Sequence, residues 1–193
     1  MVLGINLLLA DSPLTSTEFG KAYAKAAIVQ RAAQTNGVLT EDLAAFLLNK
    51  KQPVALKMAV INTLSWNIEG KGNAKIFAEY LSAKNKGQGK TDFIASLDWQ
   101  ELICLAYLQA MDNYSDVTEA DQYAKMAKQK TNSYTVHLIS ALIESQMAMQ
   151  GDWCQVYQIT DAVRRNKTLA KDLKPKASRM VFDYMVLYKA DCK

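Results

Sequence analysis

The chain has 193 residues, half of them hydrophobic, and a formal net charge of +4. That length suits one domain with a substantial buried core. Three cysteines, one histidine and no Cys-x-x-Cys pair argue against a zinc site built from these residues. With three prolines and eight glycines, long elements run uninterrupted. Helix-forming Ala, Leu, Lys, Gln and Met are abundant and alternating strand patterns are scarce, so the expected class is all-α.

Residues 2–10 form a short apolar run that Asp11-Ser12-Pro13 breaks. The run is too short to span a bilayer. It looks like the end of a secretory signal's apolar region, with cleavage near Ala10. Against a standard signal, no Lys or Arg precedes the run and Leu8 is large where a small residue is wanted. The expected organisation is a signal remnant over 1–10 and a single all-helical domain over 11–193.

Thr15 or Ser16 can cap a helix over 17–35 carrying Phe19, Tyr23, Ala26 and Ala27 on one face, and Asn36-Gly37 ends it. Thr40 caps a second helix over 41–49. Pro53 fits the first position of a third, reaching Ile68. Asn73 caps a fourth, with Ile76, Phe77, Tyr80 and Leu81 as its stripe. The loop-like segment over 85–91 is the best candidate for an internal boundary, and a helical turn follows over 91–96.

From Leu97 to Asn166 the signals are clearest. Asp98 and Glu101 form a capping-box pattern for a helix to Asp112. Thr118 opens the next, with Glu119 and Asp121 at its positive end and Lys125, Lys128 and Lys130 near its negative end. Asn132 or Ser133 caps a helix to Gln150, apolar on more than one side and so expected at the centre of this part. Gly151 reads as its C′ residue, and Asp152 caps a helix ending near Arg165. Leu169 and Leu173 can anchor a short helical piece. Pro175 then opens a final helix with Met180, Val181, Tyr184, Met185 and Tyr188 at core spacing.

Within 98–166 the helix starts repeat at about 34–35 residues, with small residues at Ala106, Ala120 and Ala127. This third of the chain resembles two tetratricopeptide-like units. It departs from that pattern at Cys154, where a small residue is expected, and lacks the closing prolines. The resemblance implies a helix-pair scaffold and brings no catalytic residues. Residues 11–19 also resemble the mature start of uncharacterised secreted helical proteins of bacteria. The expected fold is an irregular right-handed α–α superhelix or a compact array of antiparallel helix pairs.

Cys154 begins one helix and Cys192 ends the last. If those helices pack as antiparallel neighbours, the two cysteines come close enough for a disulfide, which needs an oxidising compartment. Cys104, within an apolar helix, reads as a small buried hydrophobe. Gly89-Lys90-Thr91 lacks the earlier glycine and the preceding strand of a phosphate loop. His137 lies between apolar neighbours with no nucleophile assignable to it. Asp112, Asp116, Glu119 and Asp121 cluster without calcium-loop spacing, and capping explains most of them.

The strongest charge feature is basic. Arg164, Arg165, Lys167, Lys171, Lys174, Lys176 and Arg179 face one acid, Asp172, giving a local charge of +6 that exceeds the whole chain's +4. They form a candidate anion-binding surface. A solvated loop and a cation-rich helix end explain the same run, and no nucleic-acid motif accompanies it.

The expectation is a non-enzymatic helical-repeat module that binds a protein or peptide, periplasmic or secreted, with no cofactor and no transmembrane helix. Nucleic acid is disfavoured as a partner. The alternatives are an enzyme with a buried polar pocket, an anion or nucleic-acid binder acting through 164–179, and a cytoplasmic location.

Overall fold

The computed structural model describes residues 12–84 and 90–193. The apolar run over 2–10 and the 85–89 part of the expected boundary and phosphate-loop segment lie outside the described residues. A 3-10 turn, Phe19–Tyr23, leads into α1 (Ala27–Ala33), α2 (Glu41–Leu48), α3 (Val54–Leu64), α4 (Asn73–Lys84) and α5 (Lys90–Ser96). Then come α6 (Trp99–Asp112), α7 (Thr118–Gln129), α8 (Tyr134–Ala148), α9 (Trp153–Arg165) and α10 (Pro175–Met185). A 3-10 segment, Val186–Asp191, follows. The fold is all-α; the sole strand-like feature among the described residues is an isolated parallel bridge between Ser133 and Ala170. No helix among them is long and apolar enough to cross a membrane.

α6 pairs with α7 and α8 with α9, the closest associations in the molecule. Their links are short, so the partners run antiparallel. α6 and α8 start 35 residues apart, at Trp99 and Tyr134, and so do α7 and α9, at Thr118 and Trp153. Ala106, Ala120, Ala124 and Ala127 are buried where the first pair meets. Two serines on α8 fix its register by donating to backbone carbonyls of its neighbours: Ser140 to Ala124 of α7 at 3.2 Å, and Ser145 to Val156 of α9 at 3.1 Å. α8 also touches α3 and α6, as an all-round apolar helix requires.

One hydrophobic cluster runs from Leu14 to Tyr188, with the Phe19 and Tyr107 rings stacked 6.4 Å apart near its middle. The N-terminal 3-10 turn packs on α3 and also on α10, so the first element meets the last α-helix. The Tyr23 hydroxyl accepts from the Lys174 N–H at 3.0 Å, and the Lys174 ammonium stands 4.4 Å from the centre of the Tyr23 ring. An open solenoid does not bring its ends together in this way; the arrangement is an array of helix pairs closed on itself.

Several local expectations are corrected. The helix expected over 17–35 is a 3-10 turn followed by the seven-residue α1. Asn62 of α3 is the cause: its side chain accepts from the Gly20 N–H at 2.7 Å and donates to the Thr17 carbonyl at 3.0 Å, replacing helical partners. A side chain at Gly20 would lie 2.6 Å from the Thr63 hydroxyl, so only glycine permits this approach. α3 stops at Leu64, short of the expected Ile68, because the Lys71 ammonium holds the Leu64 carbonyl at 2.6 Å and Ser65 turns to φ 60°. Ile68 is left 82% exposed. Pro53 is the N-cap of α3, one place before the expected first position.

Asn73 does not cap its own helix. It is buried and holds the preceding segment, accepting from Leu39 and donating to the Gly37 carbonyl. Gly151 makes no left-handed turn after α8. The segment over 167–174 is not helical: Ala170 bridges back to Asn132 and Tyr134, which buries Leu169 and Leu173.

Candidate functional site

Three of the seven cations in the basic run are engaged by other side chains. Arg164 and Arg165, in the last turn of α9, both turn back onto Asp161. Burial alone would raise the Asp161 carboxyl, but the Arg164 hydrogen bond and the two guanidinium charges outweigh it and hold the group below the usual carboxylate range. Lys174 is spent on the Tyr23 ring. Asp172, the one acid in the run, faces the start of α8. It accepts from the Thr135 N–H and hydroxyl, both at 2.8 Å, and from the Ser133 hydroxyl. That places a carboxylate at a helix N-terminus, where the dipole favours it.

Four cations of the run, Lys167, Lys171, Lys176 and Arg179, are exposed and make no hydrogen bond or ion pair with the described residues. Of these, Lys171 and Arg179 line a cleft of about 550 Å³ between α8, the end of α9, α10 and the segment before it. Tyr134, Leu173, Pro175 and Phe182 supply its apolar lining, and Asp183 its one acid. Arg179, Phe182 and Asp183 share one face of α10 by their three- and four-residue spacing. The Arg164 guanidinium stands 5.7 Å from the centre of the Phe182 ring, which orients that wall. Across the cleft the Tyr134 and Ser178 hydroxyls lie 3.1 Å apart. Lys167, Lys176 and Arg165 do not line it.

Cys154 and Cys192 form a disulfide, with Cα atoms 4.7 Å apart. It ties the 3-10 segment to the first turn of α9, where the Trp153 and Tyr188 rings also meet at 5.7 Å. Cys104 is fully buried and free, and burial pushes its thiol up to about 12, which keeps it protonated and unreactive.

The remaining titratable candidates are engaged singly. His137 donates from Nε2 to the Thr131 carbonyl at 3.0 Å. It borders a cleft of about 310 Å³ whose Lys128 and Glu144 pair with each other at 3.7 Å. Asp112 accepts from the N–H groups of Lys71 and Ala74 at the start of α4. Asp116 holds Thr118, Glu119 holds Tyr123 and Gln109, and Asp121 pairs with Lys125. No group of three or more His, Cys, Asp or Glu among the described residues could hold a metal.

A further cavity of about 320 Å³ lies by the N-terminal turn, lined by Leu14, Val29 and Met111 together with Glu18 and Lys21. Those two charges pair with each other at 2.5 Å. The buried Lys57 was invisible to pattern reading: it is 1% exposed, with its ammonium 2.5 Å from the Gln100 side-chain oxygen. Its one sequence signal is a lysine inside an otherwise apolar helical run.

No family model, curated protein or solved structure matches this chain.

Proposed function

We propose that the chain is a non-enzymatic helical-repeat interaction module that binds a segment of a partner protein outside the cytoplasm. The observation that carries this reading is the cleft at α8, α9 and α10, whose apolar lining is flanked by two unpaired cations. Convergent polar groups around a partly apolar concavity are what a binding site needs. The equal 35-residue offsets of α6 to α8 and α7 to α9 favour a repeat-like scaffold beneath it. The disulfide favours an oxidising compartment. His137, Cys104 and the acids near α7 are each held by separate partners or by burial, which favours binding over catalysis.

The test is affinity capture from the native compartment with the wild-type chain and with Arg179→Glu. The reading expects a protein retained by the former, and depletion by the latter would assign the contact to the cleft. A chain that retains nothing in either form overturns it. Alkylation trapping of Cys154 and Cys192 in fractionated cells tests the location, which requires both thiols to be blocked by oxidation.

A further inference from the structure

We propose that the cleft takes a short acidic segment of the partner, a carboxylate side chain beside an aromatic or aliphatic one. This rests on the interaction-module reading and names the chemistry of its ligand. The basic run suggests nucleic acid by composition, but its geometry does not fit a phosphate track. Arg164 and Arg165 are neutralised by Asp161, and Lys174 is committed to the Tyr23 ring. Lys171 and Arg179 are left free at the cleft. Two point charges around an apolar floor suit one or two carboxylates, and a guanidinium can meet a carboxylate through two parallel N–H bonds. The volume of about 550 Å³ lies within the range of sites that enclose a small ligand. Leu173, Pro175 and Phe182 then receive the apolar side chain. Asp183 stands four residues from Arg179 on the same helix face, so its charge opposes a carboxylate bound there.

The experiment is isothermal titration calorimetry of the full chain with two peptides, acetyl-Glu-Glu-Phe-Glu-Glu-amide and its counterpart with every Glu replaced by Gln. A twelve-residue oligothymidylate serves as the polyanion arm. The acidic peptide binds and the Gln peptide does not. Arg179→Glu and Lys171→Glu each weaken binding at least about fivefold, and Asp183→Asn tightens it. Lys75→Glu makes the same charge change on α4 and leaves affinity unchanged. Equal affinity for the two peptides overturns the proposal. So does an equal loss in Lys75→Glu, which indicates charge alone, or tighter binding of the oligonucleotide lost with Arg179→Glu. Circular dichroism melts of every variant confirm folding, and charge reversal at these exposed positions leaves them intact. If a captured partner is indifferent to Arg179→Glu, the module reading stands and this cleft falls. If the acidic peptide binds while capture retains nothing, the cleft stands and the module reading falls.

Discussion

Residues 12–84 and residues 97–185 are both made of short helices, yet they hold most of their helix starts in different ways. In the second region three of the five helices, α6, α8 and α9, start on a local side-chain cap, whereas α7 and α10 have none. Asp98 accepts from Gln100 and Glu101, Ser133 from Val136, and Asp152 from Gln155. In the first region the N-caps of the 3-10 turn, α1, α2 and α3 make no side-chain capping bond at all. Their place is taken by polar side chains arriving from far along the chain. Asn62 holds the N-terminal turn, Asn73 holds the α1–α2 link, and Asp112 holds the start of α4 across 38 residues. The lesson is energetic: a lost local cap frays one turn, whereas a lost long-range bridge unsatisfies several buried groups at once.

The largest expected effect follows from that difference. Asn62 makes three buried hydrogen bonds, to the Gly20 N–H, the Thr17 carbonyl and the Tyr107 hydroxyl. Asn62→Ala strands all three partners and is expected to cost about 3–4 kcal/mol. Urea unfolding would show a much lower midpoint. A cost under about 1 kcal/mol would mean that the N-terminal turn does not depend on this bridge.

Next in size is the one covalent long-range tie. The Cys154–Cys192 bridge closes a segment with a sequence separation of 38. Replacing both cysteines by serine is expected to cost roughly 3 kcal/mol, chiefly through the freedom regained by the unfolded chain. A cost of that size would show that the second region also depends on a distant partner, as the first does. Thermal melts of the double variant and of the reduced parent should agree; a reduced parent as stable as the oxidised one would remove the disulfide from the comparison.

The same division decides what was legible in the sequence. The starts of α6, α8 and α9 are readable because Asp98, Ser133 and Asp152 act within three residues of themselves. The break between the 3-10 turn and α1 is not, since Gly20 and Asn62 are 42 positions apart. The early end of α3 was hidden likewise: Ser65 carries no stop signal, and the Lys71 ammonium that ends the helix lies beyond it. At the candidate site, composition revealed the basic run. It could not reveal that Asp161 neutralises two of its members, or that Tyr23, 151 positions from Lys174, engages a third. Leu169 and Leu173 are buried, but not in the expected helical piece: the bridge at Ala170 that seats them is a tertiary pairing.

Lys57 sharpens the comparison with the opposite sign. Burial drives its ammonium below the usual lysine range, against the opposing charges of Asp98 and Glu101. Asp98 is itself ion-paired with Lys50 at 2.6 Å. Because the folded-state value is depressed, the unfolded chain binds the extra proton between that value and the ordinary lysine value of 10.5. Stability therefore rises with pH across that window, and the cost of burying the charge is fully present below it. Lys57→Met removes the cost and is expected to stabilise the chain by about 1–2 kcal/mol at pH 7. The gap between variant and parent should narrow as the pH approaches 10, read by paired urea titrations. A gap that is independent of pH would show that packing, not charge burial, sets the effect.

The smallest effect is the local cap at α9. Asp152→Ala removes the acceptor that meets the Gln155 N–H at 3.1 Å and is expected to cost about 1 kcal/mol, with Asp152→Ser restoring most of it. Cys154 stands only two residues further on, so the disulfide already restrains the first turn that the cap would otherwise hold. Cap and disulfide should therefore be non-additive: with Cys154 and Cys192 both replaced by serine, Asp152→Ala should cost more than it does in the oxidised chain. A double-mutant cycle by denaturant unfolding measures the coupling. Strict additivity would show that the start of α9 is fixed by its packing on α8, through the Ser145 bond to the Val156 carbonyl, and owes nothing to the covalent tie.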